Sequence, residues 1–140
     1  MNIKDYLKQI KRLTIRVEQI GEEITEIEAR LGVQGINYNK MPVTPSPEDK
    51  MSRYIYKLIE LKDAYTEESQ RLMSKRKEII DSISLLEDCR LQQVLYYRYV
   101  KDMRWEEIAE RLSYDDKYIF RLHGYALLEL KKILKETIDE

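Results

Sequence analysis

Lys117 and Arg121 lie four residues apart in the run DDKYIFRLHGYALLEL, with Phe120 and Gly124 beside them. On a helix these positions share one face, because residues three and four apart are neighbours along the surface. Their chemistry suits the edges of base pairs in a major groove. A guanidinium can donate two parallel hydrogen bonds to guanine, an ammonium can reach a base or a phosphate, and an aromatic ring can meet a thymine methyl. Gly124 costs a helix about 1 kcal/mol relative to alanine. Close approach to DNA or to a neighbouring helix would compensate for that cost. Lys101 and Arg104, from the connector KDMR, complete the candidate DNA-binding set.

Other chemistries have little to work with. The sequence has no arrangement of nucleophile and base and no glycine-rich phosphate loop. His123 and Cys89 are each the only residue of their type, so a zinc site would need several carboxylates. The chain therefore reads as non-enzymatic, with no metal and no cofactor. His123 borders an apolar stripe and is expected to be a hydrogen-bonded structural histidine. Cys89, near Leu86 and Leu91, is expected to act as a small core hydrophobe. Trp105 is expected to plug the core, and Arg98 with Glu107 to form a structural ion pair between two helices.

Charge sets a further limit. The chain carries 25 basic and 26 acidic residues, a formal net charge of −1. Attraction to DNA must therefore come from local patches. From Asp88 onward there are 10 basic and 11 acidic residues, so one copy of this module should hold DNA only modestly. Dimerisation or a partner would raise the affinity. The opening MNIKDYLKQIKRL has no continuous apolar run. It reads as neither signal peptide nor membrane span, which gives an expectation of a cytoplasmic protein without a membrane partner.

The elements that would position these residues are all helical. Around Glu87-Asp88 a helix is expected to begin, with Leu91, Val94, Leu95 and Tyr99 on its apolar face. Residues 105–112 (WEEIAERL) form the next helix, with Ile108, Ala109 and Leu112 inward. Ser113-Tyr114 makes a turn, and Asp115 or Asp116 caps the last helix. There Ile119, Leu122, Ala126, Leu127 and Leu130 form the buried stripe. Lys117, Phe120, Arg121, Gly124 and Leu128 then face away from it.

In front of this module stands a long helical handle. Ile3, Tyr6, Ile10, Leu13, Val17, Ile20, Ile24, Ile27 and Leu31 alternate steps of three and four, the mark of a coiled-coil seam. Asn2 can cap this helix and Gly32 can end it. At 1.5 Å per residue it would be about 45 Å long. Residues 32–46 read as a loop, and Ser46-Pro47-Glu48-Asp49 as a helix start. A second helix is expected from Pro47 to about Leu85. Met51, Ile55, Leu58, Tyr65, Leu72, Ile79 and Ile83 would be its seam, interrupted at Lys62, Ser69 and Arg76. The first helix begins basic and ends acidic, so two copies running antiparallel would match unlike charges. Its seam residues Ile3, Ile10, Leu13, Val17, Ile20, Ile24, Ile27 and Leu31 are therefore candidates for dimerisation. The expected organisation is a helical hairpin or coiled coil over 1–86 and a helix-turn-helix domain over 87–140.

Arg98-Tyr99-Val100, WEEIAERL at 105–112, Tyr118 to Leu122, Ala126-Leu127 and Leu130 resemble the region-four domain of sigma-70-type transcription factors. RLHGYAL following WEEIAERLSY, behind a long helical N-terminus, is similar to the phage-encoded sigma-like regulators of the ArpU/RinA type. The narrower resemblance spans nearly the whole chain, but its specific motif covers about the last third. It implies control of phage or prophage late genes in a bacterial host. Promoter or operator duplex DNA would be read by a recognition helix from Asp115 to about Leu130, with RNA polymerase as a further partner. Ser113 stands where glycine is common in the family's turn, and Asp115-Asp116 and Phe120 depart from a more basic groove face. The chain is expected to form a homodimer or higher homo-oligomer. Two rival readings stand beside this one. One, supported by the near-neutral module and Phe120, is a protein-interaction module that binds polymerase or a phage protein without tight DNA binding. The other is a small terminase subunit, which also joins a helix-turn-helix to a coiled coil.

Overall fold

A computed structural model describes residues 1–32 and 50–139, with side chains described to residue 135. The described chain is all-helical: α1 (Ile3–Leu7), α2 (Gln9–Arg30), α3 (Lys50–Ile83), α4 (Cys89–Leu95), a π-helical turn (Tyr96–Val100), α5 (Trp105–Leu112) and α6 (Asp116–Asp139). No helix among the described residues is long and apolar enough to cross a membrane. The expected loop at 32–46 and helix start at 46–49 lie, apart from Gly32, outside the described residues.

Local signals explain the ends of these elements. Asn2 Oδ1 accepts from the Asp5 amide at 2.8 Å and caps α1. Gly32 follows α2 in the left-handed region (φ 69°), where a side chain would be strained. Asp88 caps α4 by accepting from the Arg90 amide at 2.9 Å. Asp115 Oδ1 accepts from the Tyr118 amide at 2.7 Å and starts α6. The first helix is not one uninterrupted seam: it breaks at Lys8 between α1 and α2. Leu7, off the expected seam, is fully buried, while Ile3 and Tyr6 are only half-buried. Leu7 of α1 and Ile10 of α2, three residues apart, are buried in the same core.

Packing divides the chain into two compact units, Met1–Leu13 with Leu72–Glu140, and Thr14–Arg71. In the first unit, Leu7 and Ile10 share a core with Ile79 and Ile83 of α3, Val94 and Leu95 of α4, Ile108 of α5, and Ile119, Leu122, Ala126 and Leu130 of α6. Tyr6 hydroxyl and Ser82 Oγ lie 2.9 Å apart. A boundary at residue 86 follows the order of elements along the chain. The compact units follow packing, which gathers residues 1–13 and 72–86 with the C-terminal helices.

In the second unit α2 and α3 lie side by side. Leu31, Ile55 and Leu58 form its core, with Ile24, Ile27 and Tyr54 packed on it. Lys62 pairs with Glu28 at 3.6 Å, and Arg16 with Glu68 at 3.2 Å. The earlier α3 residue thus meets the later α2 residue, so the two helices run antiparallel here. The inward face of α3 differs from the expected seam. Met51 and Tyr65 are exposed, and Leu61 and Glu68 are buried instead. Glu68 keeps its place because Arg16 and Arg71 both reach its Oε1 at 3.2 Å, although its Oε2 has no hydrogen-bond partner.

Candidate functional site

The candidate surface is built on α5, a turn and α6. α5 opens with Glu107 reaching back toward Arg104: its Oε1 lies 2.8 Å from Arg104 Nε and 3.4 Å from the Arg104 amide. It closes at Ser113 in the left-handed region, φ 60° and ψ 42°. A non-glycine residue there is strained by crowding of its Cβ against backbone, yet the turn needs that conformation. The Tyr114 backbone N–H closes it by donating to the Ala109 carbonyl at 2.9 Å.

α6 then shows two faces. Ile119, Ala126 and Leu130 are completely buried and Leu122 nearly so, as the apolar spacing requires; Leu127 is half-buried beside them. On the opposite face Lys117, Arg121 and Gly124 are exposed, and Phe120 and Leu128 retain 53% and 58% of their surface. Neither Lys117 nor Arg121 has a carboxylate partner among the described residues, so both charges point to solvent unneutralised. A Cβ placed on Gly124 would meet nothing within 4 Å. Among the described residues no neighbouring helix therefore explains this glycine.

The residues behind this face form an aromatic layer. Trp105 is half-buried and meets Phe120 edge-on at 5.3 Å and His123 at 4.6 Å. His123 Nε2 lies 2.7 Å from the Tyr99 hydroxyl, as expected for a structural histidine. Burial lowers its pKa to about 4, helped by the positive charges of Lys4 and Arg98. It is therefore neutral near pH 7. Burial also raises the pKa of Tyr99. The π-helical turn places Tyr97 under the guanidinium of Arg111 at 4.7 Å and Tyr96 under the ammonium of Lys101 at 5.7 Å.

Two expectations are corrected here. No ion pair joins Arg98 to Glu107. Arg98 instead donates to the Met103 carbonyl at 3.0 Å and lies over the Trp105 ring at 4.6 Å, while Glu107 takes Arg104 as partner. Glu107 is held by Arg104, only three residues away. Cys89 is not a core residue: it is exposed, at the first position of α4, and Leu91, Val94 and Leu95 supply that helix's buried face.

Not all candidate DNA-binding residues are equivalent. Lys117, Phe120, Arg121 and Gly124 come together on one exposed face of α6. Arg104 and Lys101 are exposed but already engaged, by Glu107 and by Tyr96. Tyr125, 55% exposed, borders the same α6 face and was missed because it lies off the 117–121–124 line. No group of three or more His, Cys, Asp or Glu residues placed to hold a metal occurs among the described residues. No family model, curated protein or solved structure matches the chain.

Proposed function

We propose that this chain is a DNA-binding transcription regulator, built as a helical hairpin or coiled coil carrying a sigma-region-four-like helix-turn-helix of α5 and α6. In this reading α6 enters the major groove of a promoter or operator. Arg121 reads guanine, Lys117 meets a base or phosphate, and Phe120 contacts a thymine methyl. The chain acts by binding rather than by catalysis, without metal or cofactor, in the cytoplasm of a bacterial host. The resemblance to ArpU/RinA-type regulators points to phage or prophage late genes, with RNA polymerase as a further partner.

The observation that carries the proposal is Gly124. A glycine inside a helix forfeits about 1 kcal/mol relative to alanine, and the space over this one is open. Flanked by exposed Phe120 and Arg121, it leaves room for a surface from outside the chain to approach the backbone. Selection of binders from a pool of random-sequence duplexes tests the reading. Enrichment of one sequence family supports it, and a pool that stays random at low salt refutes it.

A homo-oligomer adds the affinity that the near-neutral module lacks. In α2, Val17 and Ile20 are half-buried and leave a second copy an apolar strip. Light scattering would show a dimer or larger assembly, and a monomer at high micromolar concentration would refute it. One specific observation favours a second reading, a protein-interaction module: Phe120, Tyr125 and Leu128 are large, apolar and more than half exposed, as a protein-docking face would be.

A further inference from the structure

α6 has 24 residues, which makes it about 36 Å long. A major groove is about 12 Å wide, and recognition helices contact bases chiefly through their N-terminal residues. The second half of α6 is therefore longer than base reading requires. Its sequence is not neutral in character. Lys117, Arg121, Gly124, Leu128, Lys131 and Lys135 follow steps of four, three, four, three and four. This spacing keeps them on one face of the helix, and all six are exposed. No acidic residue interrupts the line. None of its four cations has a carboxylate partner among the described residues, whereas neighbouring Lys132 is held by Glu129 at 3.6 Å.

Distance separates the stripe into two parts. Lys131 and Lys135 lie about 21 and 27 Å along the axis from Lys117. With Lys117 and Arg121 in a major groove about 12 Å wide, these lysines would lie beyond its width. They border a groove about 770 Å³ in volume, which Ile3, Tyr6 and Leu134 also line. The carboxylate of this groove, Glu78, pairs with Lys75 at 3.3 Å.

We infer that α6 is a two-part DNA contact, with Lys131 and Lys135 forming a sequence-independent clamp on the phosphates beyond the base-reading segment 117–124. This rests on the DNA-binding reading above and adds a division of labour to it. The clamp supplies affinity where the net charge of the module does not.

The test uses the full chain, the double variant Lys131→Gln/Lys135→Gln, and Arg121→Ala. Each is titrated over a range of salt against two duplexes, one of arbitrary sequence and one enriched from a random pool by the wild-type chain. Glutamine keeps good helix propensity, so the fold is expected to stand. Each lost phosphate contact reduces the slope of log K against log salt by about 0.9. The double variant should therefore lose about 1.8 from the slope on both duplexes while keeping the wild-type preference for the enriched one. Arg121→Ala should lose that preference. If wild-type duplex binding persists and the double variant keeps the full slope, the clamp is overturned and the DNA reading stands; a protein-docking role for the stripe gives this result. If the wild-type chain shifts neither duplex at low salt, both fall.

Discussion

The two compact units contain equally regular apolar spacing but bury it very differently. Around α4, α5 and α6, fifteen buried residues form one core. Among the described residues of the other unit, the corresponding cluster has three, Leu31, Ile55 and Leu58. Val17, Ile20, Ile24 and Ile27 keep a strict heptad rhythm and yet stay half-buried. Periodicity thus reports which face a helix turns inward, whereas burial depends on how many elements cover that face. α1, α4 and α5 all pack against α6. In the second unit, α2 and α3 have chiefly one another.

Core truncations test this contrast most strongly. Ile108 is fully buried, so Ile108→Ala should destabilise its unit by about 2–5 kcal/mol. Ile24→Ala, in the half-buried seam, should cost about 1–2 kcal/mol by its smaller buried area. Urea unfolding of the two variants checks the ranking, and equal losses would show that the second unit is as well covered as the first.

Acid should weaken the first unit specifically through His123. Its folded pKa of about 4 lies below the ordinary 6.5. Between those values the unfolded state binds more protons than the folded one, so stability falls as pH drops through this window. His123→Gln should flatten that part of the pH profile, measured as the urea midpoint at neutral pH and at pH about 4.5. An unchanged profile would remove the histidine from the account.

The smallest expected effect is at the turn. Ser113 sits at φ 60°, so Ser113→Gly should stabilise the α5–α6 unit by about 1 kcal/mol, relieving the left-handed strain. A thermal melt would show the gain, and a loss would mean that the serine side chain contributes something the turn needs.

Much of this architecture was legible because its signals are local. Asn2, Gly32 and Asp115 act on amides within three residues, or at a single backbone angle, so the sequence marked Asn2 and Gly32 and narrowed the α6 cap to Asp115 or Asp116. It placed the start of α4 near Glu87-Asp88 without marking Asp88 as the cap. The inner and outer faces of α6 were legible for the same reason, since a long helix has a fixed period. What escaped depended on distance and direction. Arg98 is a long side chain with several partners in reach, and it takes the Met103 carbonyl and the Trp105 ring while Glu107 takes Arg104. Leu7 lies off the expected seam yet shares a buried core with Ile10, three residues on, because other helices cover that side. The inward face of α3 moves to Leu61 and Glu68 because Arg16 and Arg71 accompany a carboxylate there. No residue-by-residue spacing rule contains those three-body arrangements. The candidate DNA face was readable as a face, but the in-chain engagement of Lys101 and Arg104 was not.

The central claim is that the exposed face of α6 reads DNA through Arg121. The direct measurement is the affinity of wild-type chain and Arg121→Ala for the duplex that the wild-type chain enriches, set against a duplex of arbitrary sequence. The account predicts that the variant melts like wild type and loses about 1–3 kcal/mol on the enriched duplex, with little change on the other. A well-folded variant that keeps full affinity and full preference would contradict it.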